Sequence, residues 1–82
     1  MSRQRSMEVI EQSEYVTIGE LVRLTGVRYS TLKFYTEEGM LPFEENLTRR
    51  YRREESIEMI YKIRKMREEK MTIPEIKGKI KG

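Results

Sequence analysis

The stretch from Thr17 to Gly39, TIGELVRLTGVRYSTLKFYTEEG, constrains the fold more than any other. Thr17 and Glu20 are spaced as a capping box. The threonine hydroxyl accepts from a backbone N–H three residues on, and the glutamate reaches back to the cap amide. The spacing predicts a helix from Ile18, with Ile18, Leu21, Val22 and Leu24 on its apolar face and Glu20 and Arg23 turned outward. Gly26 ends that helix, because glycine takes a positive φ without steric cost. Val27 re-enters the core, and a second helix runs from Arg28 or Tyr29 to Glu38, stopped by Gly39. Two short helices across a tight glycine turn make a helix-turn-helix, whose second helix fits the major groove of B-DNA. Leu32 faces the first helix, which leaves Arg28, Tyr29, Ser30, Thr31, Lys33, Phe34 and Tyr35 to be divided between packing and contact. On this stretch alone the alternative is an ordinary amphipathic helix pair with a solvated basic edge.

After Gly39 the period changes. Pro42 rules out a continuing helix and biases Leu41 toward extended backbone. Met40–Phe43 and Arg49–Arg52 are expected to pair as two short antiparallel strands, with Asn46 in the connecting loop from Glu44 to Thr48. A hairpin in that place is the wing of a winged helix. Its return arm carries Arg49, Arg50, Arg52 and Arg53 around Tyr51. Strand alternation puts Tyr51 against the core and Arg50 or Arg52 on the opposite face, with Arg49 near the loop toward a phosphate or the minor groove. So dense a run without interleaved acids repels itself unless phosphate or nearby Glu residues neutralise it.

The sequence from Glu54 to Lys70 is the clearest helix, acidic in its first turn and basic near its end, in keeping with both poles of the helix dipole. Ile57, Ile60, Tyr61, Ile63 or Arg64, Met66 and Met71 form its apolar stripe, which makes it a scaffold, with Lys62, Lys65 and Arg67 as backbone contacts only. A short closing helix restarts at the Thr72–Glu75 capping box, with Pro74 tolerated in its first turn. Residues 1–14 are read as a flexible N-terminal arm and 15–82 as a single domain. Arg3 and Arg5 suit a basic arm, although Glu8, Glu11 and Glu14 work against it.

Composition removes most other function classes. A chain of 82 residues allows one small domain. It contains no Cys and no His, so disulfides, thiolate metal sites and imidazole bases are absent. No nucleophile, base or metal cluster emerges, and neither an enzyme nor a cofactor is expected. Seventeen Lys and Arg against fourteen acids, all of them Glu, give a net charge of only +3, so the distribution of charge has to carry the argument. There is no apolar run of membrane-spanning length and no h-region near the start, which makes the expected location cytoplasmic, associated with the nucleoid.

Seven pieces now stand in order: T-I-G-E-L at Thr17–Leu21, T-G-V at Thr25–Val27, T-L-K-F-Y at Thr31–Tyr35, E-G-M-L-P at Glu38–Pro42, R-R-Y at Arg49–Tyr51, E-E-S-I at Glu54–Ile57 and M-T-I-P-E-I at Met71–Ile76. From Tyr15 to Ile80 the chain resembles the N-terminal winged-helix DNA-binding domain of MerR-family transcription regulators. The resemblance implies a mainly α, winged helix-turn-helix fold with a short two-stranded wing. It matches Thr31, Lys33 and Tyr35 to the family's threonine, basic residue and tyrosine on the helix that enters the major groove. Lys33 stands where an arginine is usual, replacing a bidentate fork by a point charge. Arg28 and Arg53 stand at positions where the family usually has a hydroxyl cap.

The expected DNA contacts are Arg28 and Arg49 first, then Lys33 and Tyr35, with Tyr29, Ser30, Thr31, Arg50 and Arg52 completing the set. Family members typically continue into a coiled-coil helix and an effector domain, so the resemblance implies a short, effector-less form without a small-molecule ligand. The expected partner is double-stranded DNA, bound by a monomer that gathers further copies side by side on repeats, with no membrane involved. A small transcription regulator is one reading. An excisionase-like, plasmid-maintenance or nucleoid architectural factor is a second, and a protein-interaction adaptor a third.

Overall fold

The computed structural model describes residues 5–46, 48 and 50–81. Its elements run α1 (Met7–Gln12), β1 (Tyr15–Val16), α2 (Ile18–Thr25), α3 (Tyr29–Glu37), β2 (Tyr51–Arg52), α4 (Arg53–Glu68) and α5 (Ile73–Lys81). Local sequence chemistry sets the ends of the two central helices. Glu20 N–H donates to Thr17 Oγ1 at 3.1 Å and Thr17 N–H donates to Glu20 Oε1 at 2.9 Å, which completes the capping box. Gly26 closes α2 at φ 75° and Gly39 follows α3 at φ 76°. Beyond α3 the Met40 N–H reaches back to the Tyr35 carbonyl at 2.8 Å, the long bond of a Schellman motif. A second such motif ends α4, where Met71 N–H donates to the Met66 carbonyl at 3.1 Å and Lys70 takes φ 64° in place of a glycine.

The sheet differs from the expected hairpin. Tyr15 lies opposite Arg52 and Val16 opposite Tyr51, so β2 pairs with the strand before the helix-turn-helix rather than with residues 40–43. The reason lies in Met40 and Leu41. Both are 1% exposed, and two consecutive inward side chains break the alternation that a strand requires. Among the described residues of the expected hairpin, one backbone bond remains, from Glu44 N–H to the Arg50 carbonyl at 2.8 Å, beyond a turn at Glu45–Asn46. The fold is a mainly α winged helix-turn-helix with one small two-stranded antiparallel sheet among the described residues.

The core gathers one or two side chains from each of these elements: Ile10, Val16, Leu21, Leu32, Tyr35, Tyr51, Ile60, Ile63 and Ile76, with Met40 and Leu41. In α4 the buried stripe is Ser56, Ile60 and Ile63, joined by Ile57, Met59 and Met66. Ile63 rather than Arg64 faces inward. Tyr61, expected on that stripe, is 52% exposed. The cap of α4 is Arg52, not Arg53, and Arg52 makes no side-chain cap bond.

Packing also continues across residue 14, where the sequence suggests a boundary. Ser6 caps α1, and Ile10 is fully buried against the domain. Arg5 Nε and Nη2 hold both carboxylate oxygens of Glu20 at 2.7 and 2.8 Å, and Nη1 donates to Ser13 Oγ at 2.9 Å. Glu20 is therefore buried at 8% exposure instead of facing outward. Arg53 closes the same corner, its Nε donating to the Ser13 carbonyl at 2.8 Å and its N–H to the Glu14 carbonyl at 2.9 Å.

Candidate nucleic-acid interface

α3 divides its side chains by helical period. Leu32 is fully buried and Tyr35, one turn on, is 6% exposed in the core, so Tyr35 does not stand on the surface where the family resemblance placed it. Tyr29 is 55% exposed, Phe34 is 41% exposed, and Ser30 and Lys33 are exposed beside them. Thr31 is half-buried. Arg28 is the exposed cap residue of α3, and its side chain makes no cap bond.

Two grooves flank this helix. The larger, of about 420 Å³, lies beside α3 and brings together Tyr29 and Lys33 with Phe43, Thr48, Arg50 and Tyr51. Thr17 and Ile18 at the start of α2 line the same groove, as do Thr36 and Glu37 of α3. On the other side of α3, Ser30, Thr31, Phe34 and the edge of Tyr35 meet Arg67 of α4. Tyr29, Lys33 and Arg50 are thus brought into one place, and Ser30 and Thr31 into another.

The arginine run of the wing divides in the same way. Arg50 is exposed and borders the larger groove. Arg52 turns back onto the protein, 3.6 Å from Glu55, 3.9 Å from Glu44 and 5.5 Å above the Tyr15 ring. Tyr15, and after it Glu55, hold the Arg52 guanidinium above its ordinary value. Arg49 lies outside the described residues, as does Arg3. Arg5, one of the two cations suited to a basic arm, is committed to Glu20, whose hydrogen bond raises the Arg5 pKa.

Glu37 and Phe43 are groove residues that the sequence reading passed over. For Glu37 a signal existed, since positions 29, 33 and 37 form one i, i+4 row on a helix. For Phe43 there was none, because its position depends on how the chain after Pro42 folds back. Chemically, the groove offers two cations, three aromatic side chains and one carboxylate acceptor. That mixture suits phosphates and base edges together. Among the described residues no cluster of His, Cys, Asp or Glu could hold a metal ion, and no helix is long and apolar enough to cross a membrane.

Compared with models of protein families, residues 16–82 match that of the MerR HTH family regulatory protein. Neither the curated proteins nor the solved structures provide a match to the chain. With that match covering most of its length, on a helix-turn-helix backed by a small sheet, the chain belongs to the MerR HTH family, whose members are DNA-binding regulatory proteins rather than enzymes.

Proposed function

We propose that this chain is a sequence-preferring reader of double-stranded DNA that serves transcription regulation in the cytoplasm, without a small-molecule step in the binding itself. α3 enters the major groove, and Arg50 beside it reaches the flanking backbone. The observation that carries this reading is the meeting of Tyr29, Lys33 and Arg50 in one groove beside the exposed Arg28. Lys33 and Arg50 supply point charge and fork to phosphates. Tyr29, at the first position of the helix, is the side chain best placed for a base edge, with Ser30 next to it. Thr31 contributes from its half-buried position, and Tyr35 acts through packing.

The test is selection of duplexes from a random library, followed by salt titration on the selected site. Arg28→Ala, Lys33→Ala and Arg50→Ala are each expected to weaken binding across all sequences and to reduce the salt slope by about one unit. Tyr29→Ala is expected to change the selected sequence. Sedimentation of the complex reports whether one copy or several occupy the site, and a monomer is expected in the absence of DNA. Unchanged affinity and slope in all three charge variants would sink the assignment.

A further inference from the structure

Phe43 is a side chain that neither the helix-turn-helix pattern nor the basic wing accounts for. The residue is 36% exposed and borders the groove where Tyr29, Lys33 and Arg50 meet. The ring is held in place from behind. Its centroid lies 6.0 Å from that of Tyr51, with the planes inclined by 31°. Tyr51 is itself buried, and its hydroxyl shares a 2.9 Å hydrogen bond with Thr36 Oγ1. Thr36 donates in turn to the Leu32 carbonyl at 2.9 Å, which leaves the Tyr51 hydroxyl as donor to Thr36. A continuous chain therefore runs from the backbone of α3 through Thr36 and Tyr51 to Phe43. It fixes the ring relative to the helix that carries Tyr29 and Lys33.

We propose that Phe43 is a specificity-determining residue that packs on the C5-methyl group of a thymine in the major groove, beside the bases that α3 faces. The inference rests on the duplex-binding reading above. A phenyl ring has no donor or acceptor, and the thymine methyl is the apolar group that base pairs present in that groove. Lys33 and Arg50 border the same groove and draw the backbone toward it. The other use of an apolar side chain on DNA is a wedge between base steps, and that needs a ring standing clear of the protein. Phe43 instead presents about a third of its surface and leans on Tyr51.

The experiment replaces each thymine of the selected duplex, one at a time, by deoxyuridine, which removes only the methyl group. Wild-type protein is expected to lose about three- to fivefold in affinity at one position, the effect of one buried methyl. Phe43→Ala is expected to bind more weakly and to lose its sensitivity at that position, whereas Phe43→Leu keeps it. Thermal melting verifies that both variants are folded. The wild-type scan stands without either variant, and the absence of any uracil-sensitive position overturns the proposal. So does a sensitivity that survives Phe43→Ala and disappears in Tyr29→Ala, or a Phe43→Ala loss that is equal on both duplexes and accompanied by straightening of the DNA. If wild-type protein selects no duplex at all, the duplex-binding reading fails first. If it selects one and shows no methyl effect, only the role of Phe43 falls.

Discussion

Arg5 and Arg52 both turn their charge onto glutamates of their own chain, one beside the start of α2 and the other at the base of the wing. Arg5 grips Glu20 with two parallel bonds of 2.7 and 2.8 Å, and the two side chains are 21% and 11% exposed. Arg52 stands 3.6 Å from Glu55 and 3.9 Å from Glu44, with about half or more of each side chain in water. The first pair is bidentate and shielded from solvent; the second is loose and screened by salt. The difference teaches that a count of arginines says little about which of them a nucleic acid can reach. A cation that packing has locked onto a shielded carboxylate, as it has Arg5, is withdrawn from any such interface.

The largest expected effect is at the shielded pair. Arg5→Ala leaves the Glu20 carboxylate in a site where the residue is 8% exposed, while it still accepts from Thr17 N–H. Removing the bidentate partner of a buried carboxylate is expected to cost about 2–3 kcal/mol, less than for a fully buried pair because Arg5 is partly hydrated. Urea denaturation measures the loss. Adding Glu20→Gln to Arg5→Ala removes the carboxylate charge and should recover a good part of the loss, a coupling that the double-mutant cycle isolates. The comparison breaks if Arg5→Ala costs no more than Arg52→Ala.

The same contrast marks how far the sequence could be read. The Thr17–Glu20 box, the Gly26 and Gly39 stops and the Thr72–Glu75 cap all lie within a few residues of what they control, and each is found where the spacing placed it. The second partner of Glu20 is Arg5, fifteen residues back, and no local period points to it. The strand partner of Tyr51 is Val16, far upstream, so the register of the sheet follows from tertiary packing and not from the hairpin-like pattern after Gly39. Tyr35 is a different kind of miss. It lies three residues after Leu32 and so on the same buried face, a signal that the resemblance to DNA-contacting positions outweighed. At the candidate interface, Tyr29, Lys33 and Arg50 were readable one by one as exposed basic or aromatic residues. Their convergence with Phe43 was not, since it depends on the fold of the loop.

An intermediate effect is expected where the wing is fastened to α3. Thr36→Val keeps the shape of the side chain but removes the acceptor of the Tyr51 hydroxyl, in a residue that is 6% exposed. The expected loss is about 1 kcal/mol, the usual range for one hydrogen bond that leaves a polar group poorly satisfied. Chemical denaturation reads it directly. A neutral result would mean that the wing is positioned by ring packing alone, and the chain from Thr36 to Phe43 would lose its middle link.

The smallest effect on stability is expected at Arg52, and it is the one that tests the comparison on DNA. Arg52→Ala removes two long, exposed ion pairs, so unfolding free energy should hardly change, and the difference should shrink further in high salt. Its effect on duplex binding follows from where the charge goes. If Arg52 stays with Glu44 and Glu55 in the complex, it neutralises no phosphate, and its loss weakens binding only through the residual field of two uncovered carboxylates. Affinity then drops modestly while the slope of log K against log salt remains that of the wild type, unlike the full unit expected for Arg50→Ala. A full-unit decrease for Arg52→Ala would show that the guanidinium leaves its glutamates for the backbone on binding. In that case exposure, and not the pairing seen in the free protein, decides which arginines DNA can recruit.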